Sequence, residues 1–165
     1  MARSKAFKSK TVKFKGYYTV IIFLLFVMLD RLTKIWAAGL KSERDYGLFA
    51  FTYVTNTGAG FSILQNMNII LAVLSIILLA VLIYYRDSVP KVSLMLIISG
   101  IVGNVIDRIF YGSVIDFINL KFWPIFNLAD SMIFIGVAYW IIVMIKEWKD
   151  YAKDAKNIGR KNSKR

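Results

Sequence analysis

The chain has 165 residues, is 58% hydrophobic with a mean hydropathy of +0.57, and carries a formal net charge of +12. That length suffices for one compact domain, but the composition is too apolar for an ordinary soluble one. Cys and His are both absent, which excludes disulfides, thiol nucleophiles, imidazole bases and the common zinc sites, and leaves Asp, Glu, Lys, Ser, Thr and Tyr as the side chains able to do chemistry.

Residues 1–16 contain Arg3, Lys5, Lys8, Lys10, Lys13 and Lys15 with no acid, and Tyr17–Leu29 is apolar apart from Thr19. The pattern resembles the charged and apolar regions of a signal peptide, and Ala37-Ala38-Gly39 supplies small residues. Asp30, Arg31 and Lys34 intervene, however, so the stretch reads as an uncleaved first span over 17–38. Further spans are expected over 69–85, 92–111 and 124–145, each near the ~20 residues that cross ~30 Å of hydrocarbon. Tyr17, Trp36, Tyr84, Tyr85, Tyr111, Trp123 and Trp148 fall at the ends of these spans, as interfacial aromatics do.

Lys and Arg distribute unevenly: six in residues 1–16, two in the connection 86–91 and eight from Lys146 onward. On the opposite side, six cations are matched by six acids, so the whole +12 sits in the tails and that one connection. The positive-inside rule then places both termini in the cytoplasm. A nucleic-acid partner would instead call for a folded basic face with aromatics. Beyond Lys146, Trp148, Tyr151, Ala155 and Ile158 recur at helical spacing among lysines, which fits either a helix lying on anionic lipid or a solvated tail.

Residues 40–68 follow a different period. Phe49, Phe51, Tyr53 and Thr55 alternate with Ala50, Thr52 and Val54, Asn56-Thr57-Gly58-Ala59-Gly60 interrupts with turn residues, and Phe61-Ser62-Ile63-Leu64 resumes the alternation. A small extracytoplasmic β element between the first two helices is expected. The fold class is thus a mainly α membrane protein with four transmembrane helices in a single domain, 1–165, with basic tails at 1–16 and 146–165. No internal repeat is visible.

The polar residues of the spans gather at one end: Asp30 and Lys34 on the first, Asn104, Asp107 and Arg108 on the third, Asn127 and Asp130 on the fourth. Asp30 with Lys34 and Asn104 with Arg108 are i,i+4 pairs, and Asn127 with Asp130 is i,i+3, so each pair shares a helix face. Ionisable residues in such places are functional candidates by default. Asp116, in the loop after the third span, and Asp130 can approach one another. Two close carboxylates in apolar surroundings share one proton, leaving an acid and a base able to activate water against a peptide carbonyl with no metal.

Other readings stay open on pattern alone. Asp107 beside Arg108, and Asp30 with Lys34, fit structural ion pairs; Asn56 with Gly58 fits a turn; Asn127 fits a helix cap. Asp116 and Asp130 fit catalysis, proton or cation transport, or structural pairing. A serine hydrolase would use Ser62, Ser113 or Ser131 with Lys34 or Lys121, and a proton-coupled transporter would use the ionisable residues in the spans. Against the transporter, the polar groups lie at one end only and no inverted repeat exists.

The motifs Asn56-Thr57-Gly58-Ala59-Gly60-Phe61, Gly103-Asn104-Val105-Ile106-Asp107-Arg108, Val114-Ile115-Asp116-Phe117 and Phe126-Asn127-Leu128-Ala129-Asp130-Ser131, with Asp30 and Lys34 ahead of them, resemble those of bacterial lipoprotein signal peptidase, signal peptidase II, in the same order. The resemblance covers about residues 17–145; Gly60 departs from it, alanine being more usual there. It implies an aspartic endopeptidase of the bacterial cytoplasmic membrane, multi-pass, with its active site at the outer leaflet. Such an enzyme cuts the signal peptide from prolipoproteins just before a diacylglyceryl-modified cysteine. It further implies Asp116 and Asp130 as the catalytic pair, with Asn56, Gly58, Asn104, Arg108, Asn127 and Ala129 binding substrate or supporting the dyad. Asp30, Lys34 and Asp107 are then structural supports. No cofactor or metal is implied; the partners are diacylglyceryl prolipoproteins and membrane lipid, with globomycin-type peptide antibiotics as inhibitors, and the chain is a monomer. The aromatic segment 47–64 is expected to cover the substrate's emerging end and its lipid.

Overall fold

The computed structural model describes residues 16–59 and 64–162. The basic stretch 1–15 and the strand continuation Phe61-Ser62-Ile63 lie outside the described residues, as do Gly60 and residues 163–165. Among the described residues four α-helices form, α1 (Gly16–Ala38), α2 (Asn68–Tyr84), α3 (Lys91–Tyr111) and α4 (Leu128–Asn162), with strands β1 (Arg44–Asp45), β2 (Ala50–Asn56) and β3 (Val114–Asn119). Among the described residues, α3 and the stretch Leu128–Lys153 of α4 are long and apolar enough to cross a membrane, with mean hydropathies of 1.7 and 2.1; α2 is apolar and shorter, at 17 residues. Large apolar side chains such as Leu24, Ile69, Ile77, Phe134 and Ile142 stand exposed on α1, α2 and α4, a surface that water solvates poorly and hydrocarbon does not.

Helix α3 packs against the other three helices. Its contact with α4 depends on small residues, because a Cβ at Gly100 would lie 2.3 Å from the Ala129 carbonyl oxygen, and one at Gly136 would lie 2.7 Å from Ile97. Backbones approach this closely only where side chains are missing, the common device of helix pairs in apolar surroundings. Leu82, Ile97 and Ile101 form the core between α2 and α3, with Ile133 and Trp140 of α4 against it. Gly112, at φ 72°, takes the left-handed position that ends α3 and turns the chain into β3.

The sheet corrects the expectation of a β element contained between α1 and α2. Its order is β1-β2-β3, all antiparallel, and β3 comes from the connection between α3 and α4 that was expected to be a loop. Val114, Asp116 and Phe117 of β3 are buried, and Val54 pairs with Asp116 past an irregularity between Phe51 and Val54. Rings seat the sheet on the end of α1: Trp36 meets Phe51 at 5.1 Å and Phe117 at 6.1 Å, both edge to face. Leu64 stands in a turn with φ 57°, not in a strand.

The fourth helix begins at Leu128, not at 124, because Phe126 is still paired to β3: its carbonyl accepts from Phe117 and Ile118, and its N–H donates to Ile118 at 3.1 Å. At its other end α4 runs unbroken to Asn162, so the first part of the basic tail prolongs the helix instead of forming a separate one.

Candidate active site

The site rests on an ionic base between α1 and α3. Asp30, Lys34 and Asp107 are all within 1% of complete burial, where isolated charges would be prohibitively costly. Lys34 Nζ meets Asp30 at 3.0 Å and Asp107 at 2.7 Å, while Arg31 pairs with Asp30 at 2.8 Å, with Asp107, and with the Gly103 carbonyl at 3.1 Å. Asp107 therefore does not pair with Arg108; neighbours at i,i+1 point about 100° apart on a helix. Arg31 was not among the sequence candidates, although its place between Asp30 and Lys34 in a span was the available signal. Gly103 lets α1 approach, since a Cβ there would stand 2.6 Å from Asp30 Oδ2.

This base reaches into α4. The Ala129 N–H donates to Asp30 Oδ1 at 3.1 Å, so a buried carboxylate of α1 occupies the start of α4, where the helix leaves N–H groups unpaired. Asn127 caps the same helix: its Oδ1 accepts from the Asp130 N–H at 2.9 Å, and its own N–H donates to Asp130 Oδ2 at 3.2 Å. This reciprocal pair has the logic of a capping box, with an aspartate three residues beyond the cap.

Two amides then aim at the two carboxylates. Lys34 can only donate, so Asn104 turns its Oδ1 to the Lys34 ammonium at 3.0 Å and its NH2 to Asp130 Oδ1 at 2.7 Å. Asn127 has its Oδ1 committed to the helix cap, and its NH2 donates to Asp116 Oδ1 at 2.7 Å and to Asn104 Oδ1 at 3.2 Å. The ion pairs and the cap thereby fix the direction of both amides. From the sheet, Asn56 donates to Asp116 Oδ2 at 2.9 Å and accepts from the Gly58 N–H at 2.9 Å, so it is both a turn and a contact to the carboxylate.

Asp116 and Asp130 line one cavity of about 200 Å³, together with Asn56, Gly58, Asn104 and Arg108. Asp116 is 3% exposed; burial, then the neighbouring Asp130, push its carboxyl up from 3.8 to about 6. Arg108 donates to the Gly58 carbonyl at 3.3 Å and stands at the cavity wall with its Nε unpartnered. The site residues implied by the family resemblance thus fall in one connected cluster: Ala129, Asn127 and Asp30 at the α4 start, Lys34 and Asp107 in the ionic base, and Asn56, Gly58, Asn104, Arg108, Asp116 and Asp130 around the cavity. The walls also include Val114, Trp123 and Phe126, which the sequence marks only as motif or span-end residues because they converge on the cavity only when β3 pairs. Among the described residues no cluster of acids fit to hold a metal is found.

Comparison with known proteins covers most of the chain. The model of the family described as signal peptidase (SPase) II matches residues 22–146. A lipoprotein signal peptidase of Clostridium novyi is 33% identical over 79% of this chain and 99% of its own length. One of Streptococcus pyogenes is 39% identical over 80% and 95%. A solved bacterial membrane enzyme superposes with a TM-score of 0.75 at 30% identity, covering 86% of this chain and 96% of its own; a second gives 0.72 at 30%, with 84% and 99% covered. The chain belongs to the signal peptidase II family, and is a membrane protease.

Proposed function

We propose that the chain is a membrane-embedded aspartic endopeptidase that removes signal peptides from diacylglyceryl-modified prolipoproteins, cutting just before the lipidated cysteine. The observation that carries this reading is that Asp116 and Asp130 face one cavity while two amides, Asn127 and Asn104, are held as donors to them. Charge balance supports a shared proton. Four carboxylates, Asp30, Asp107, Asp116 and Asp130, stand with three cations, Arg31, Lys34 and Arg108, so one proton on the pair makes the buried cluster neutral.

In the mechanism, the ionised carboxylate takes a proton from water as the water oxygen bonds to the scissile carbonyl carbon, and the protonated one gives its proton to the carbonyl oxygen. On collapse, the C–N bond breaks and the amine leaves with a proton from the pair. A gem-diol hydroxyl returns its proton to the pair as the carbonyl re-forms, which restores the starting state with no covalent intermediate. Asn56, Gly58 and Arg108 border the cavity where a peptide backbone needs partners.

In the bilayer, we place the chain as one multi-pass domain of the bacterial cytoplasmic membrane, monomeric, with four spanning helices, both termini cytoplasmic and the cavity at the outer leaflet. The charge distribution and the collection of polar residues at the sheet end of α1, α3 and α4 support this arrangement. Membrane lipid is its surroundings, and globomycin-type peptides fit as inhibitors of the same cavity. Membership of a peptidase family displaces the transporter reading. The serine–lysine reading loses support because Lys34 is spent on Asp30, Asp107 and Asn104, Lys121 on Asp45, and the Ser131 hydroxyl on the Asn127 carbonyl; Ser62 lies outside the described residues. Cleavage of a diacylglyceryl prolipoprotein peptide by Ser113→Ala and Ser131→Ala enzymes, set beside an unlipidated peptide, tests the reading. Retained activity of both variants and strong preference for the lipidated peptide are expected; loss in either variant, or equal rates on the two peptides, contradicts it.

A further inference from the structure

A second cavity, about 440 Å³, adjoins the first and is lined by Leu120, Phe122, Trp123, Phe126 and Phe134, together with Asp130 and Ser131. The two cavities share Trp123, Phe126 and Asp130. One is polar and holds both carboxylates; the other is lined almost wholly by rings and a leucine. Phe134 follows Asp130 by four residues on the same face of α4, ~6 Å further along the axis, so the apolar cavity extends from the carboxylate along the exposed flank of α4. Its rim residues Phe122 and Phe134 are 83% and 71% exposed. Three aromatics at the β1–β2 turn and on β2 pack among themselves and on α1: Tyr46 stacks on Phe49 at 5.2 Å, and Phe51 meets Phe49 at 5.6 Å and Trp36 at 5.1 Å.

We infer that this aromatic cavity is the seat of the first methylenes of the substrate's own acyl chains, with the peptide in the polar cavity and the Trp123–Phe126 ridge between them. The inference rests on the proposed function and specifies where its lipid goes: beside α4, and not under the segment 47–64. The chemistry follows from continuity. A thioether-linked lipid sits next to the bond to be cut, so an occupant of the polar cavity must send its acyl chains through an adjoining apolar opening at the bilayer boundary. Moving such chains from lipid into the cavity changes their surroundings little, since lipid tails are as apolar as the walls. What the cavity supplies is position: it fixes the lipid relative to Asp130 and so selects which peptide bond meets the carboxylates.

The test uses wild-type enzyme in lipid nanodiscs and a diacylglyceryl peptide bearing a diazirine close to the carbonyl end of one acyl chain. Photolysis during turnover is expected to label the stretch Leu120–Phe134 above a diazirine phospholipid control. Labelling confined to residues 46–51, or equal to the control, overturns the inference. Leu120→Trp, which narrows the cavity from the loop side, is expected to lower kcat for the lipidated peptide about tenfold with KM within threefold; an unchanged kcat overturns it independently. Wild-type cleavage with labelling elsewhere removes the acyl cavity alone, whereas no wild-type cleavage of the lipidated peptide removes the proposed function and the cavity with it.

Discussion

Replacing Asp116 by asparagine should remove activity while leaving the protein at least as stable at neutral pH. The Asp116 carboxyl is pushed up from 3.8 to about 6, chiefly by burial and then by Asp130, and such a shift corresponds to about 3 kcal/mol against the anion. Because the folded state binds the proton more tightly than the unfolded chain, this contribution is favourable in full below about pH 4 and is lost as pH rises through about 6. With one proton left on the pair at about pH 7.5, one carboxylate is ionised, and wild-type protein bears the cost of burying it. The amide introduced by Asp116→Asn has no charge to desolvate, but Asn56 and Asn127 both donate to this position. The new NH2 group faces one of those donors, which returns about 1–3 kcal/mol. The variant should thus range from equal to ~2 kcal/mol more stable at about pH 7.5, and the stability difference from wild type should change by ~3 kcal/mol between about pH 4 and pH 7.5. Unfolding of the detergent-solubilised proteins across that range measures it. Parallel curves for the two proteins would refute the assigned burial of the charge.

Other substitutions probe the supports. Gly103→Ala places a Cβ 2.6 Å from Asp30 Oδ2, so a loss of about 1–3 kcal/mol is expected on unfolding; a neutral effect would mean that α1 and α3 can separate freely. Lys34→Met leaves Asp30 and Asp107 with one cation fewer and frees the Asn104 amide to turn, which should cost about 3–5 kcal/mol. Lys34→Arg should not restore kcat, because a planar guanidinium cannot reproduce the three contacts of the ammonium; full recovery of turnover would count against amide orientation. Lys121→Ala removes an exposed pair with Asp45, and thermal unfolding should show no resolvable change in Tm; a clear drop would give this solvent-screened pair a structural role.

The sequence was most legible where partners are close along the chain. Asn127 and Asp130 are three residues apart, so their shared helix face and a cap at Asn127 are readable in the sequence, while the reciprocal bonding between them emerges only in the structure. Taken consistently, that cap also implied a helix starting at 128, but the apolar run Pro124-Ile125-Phe126 drew the span boundary upstream. Strand β3 was hidden because its partner β2 lies some sixty residues earlier; Val-Ile-x-Phe-Ile has strand character, and only pairing distinguishes it from a loop. The pairing of Asp107 with Arg31 and Lys34 was equally non-local, depending on α1 and α3 approaching at Gly103. Asp116 needed β3 to become a fixed group: on a strand beside Asn56 it is held in place before any substrate arrives, instead of being carried by a loop.

The central claim is that Asp116 and Asp130 act together on water, and single-residue exchange tests it most directly. Turnover of a diacylglyceryl prolipoprotein peptide should be measured for wild-type, Asp116→Asn and Asp130→Asn enzymes in lipid, with folding of each checked by its unfolding transition. The account predicts that each variant loses at least about a thousandfold in kcat while remaining folded, as expected when acid and base operate as one unit. Near-normal turnover by either folded variant would contradict it.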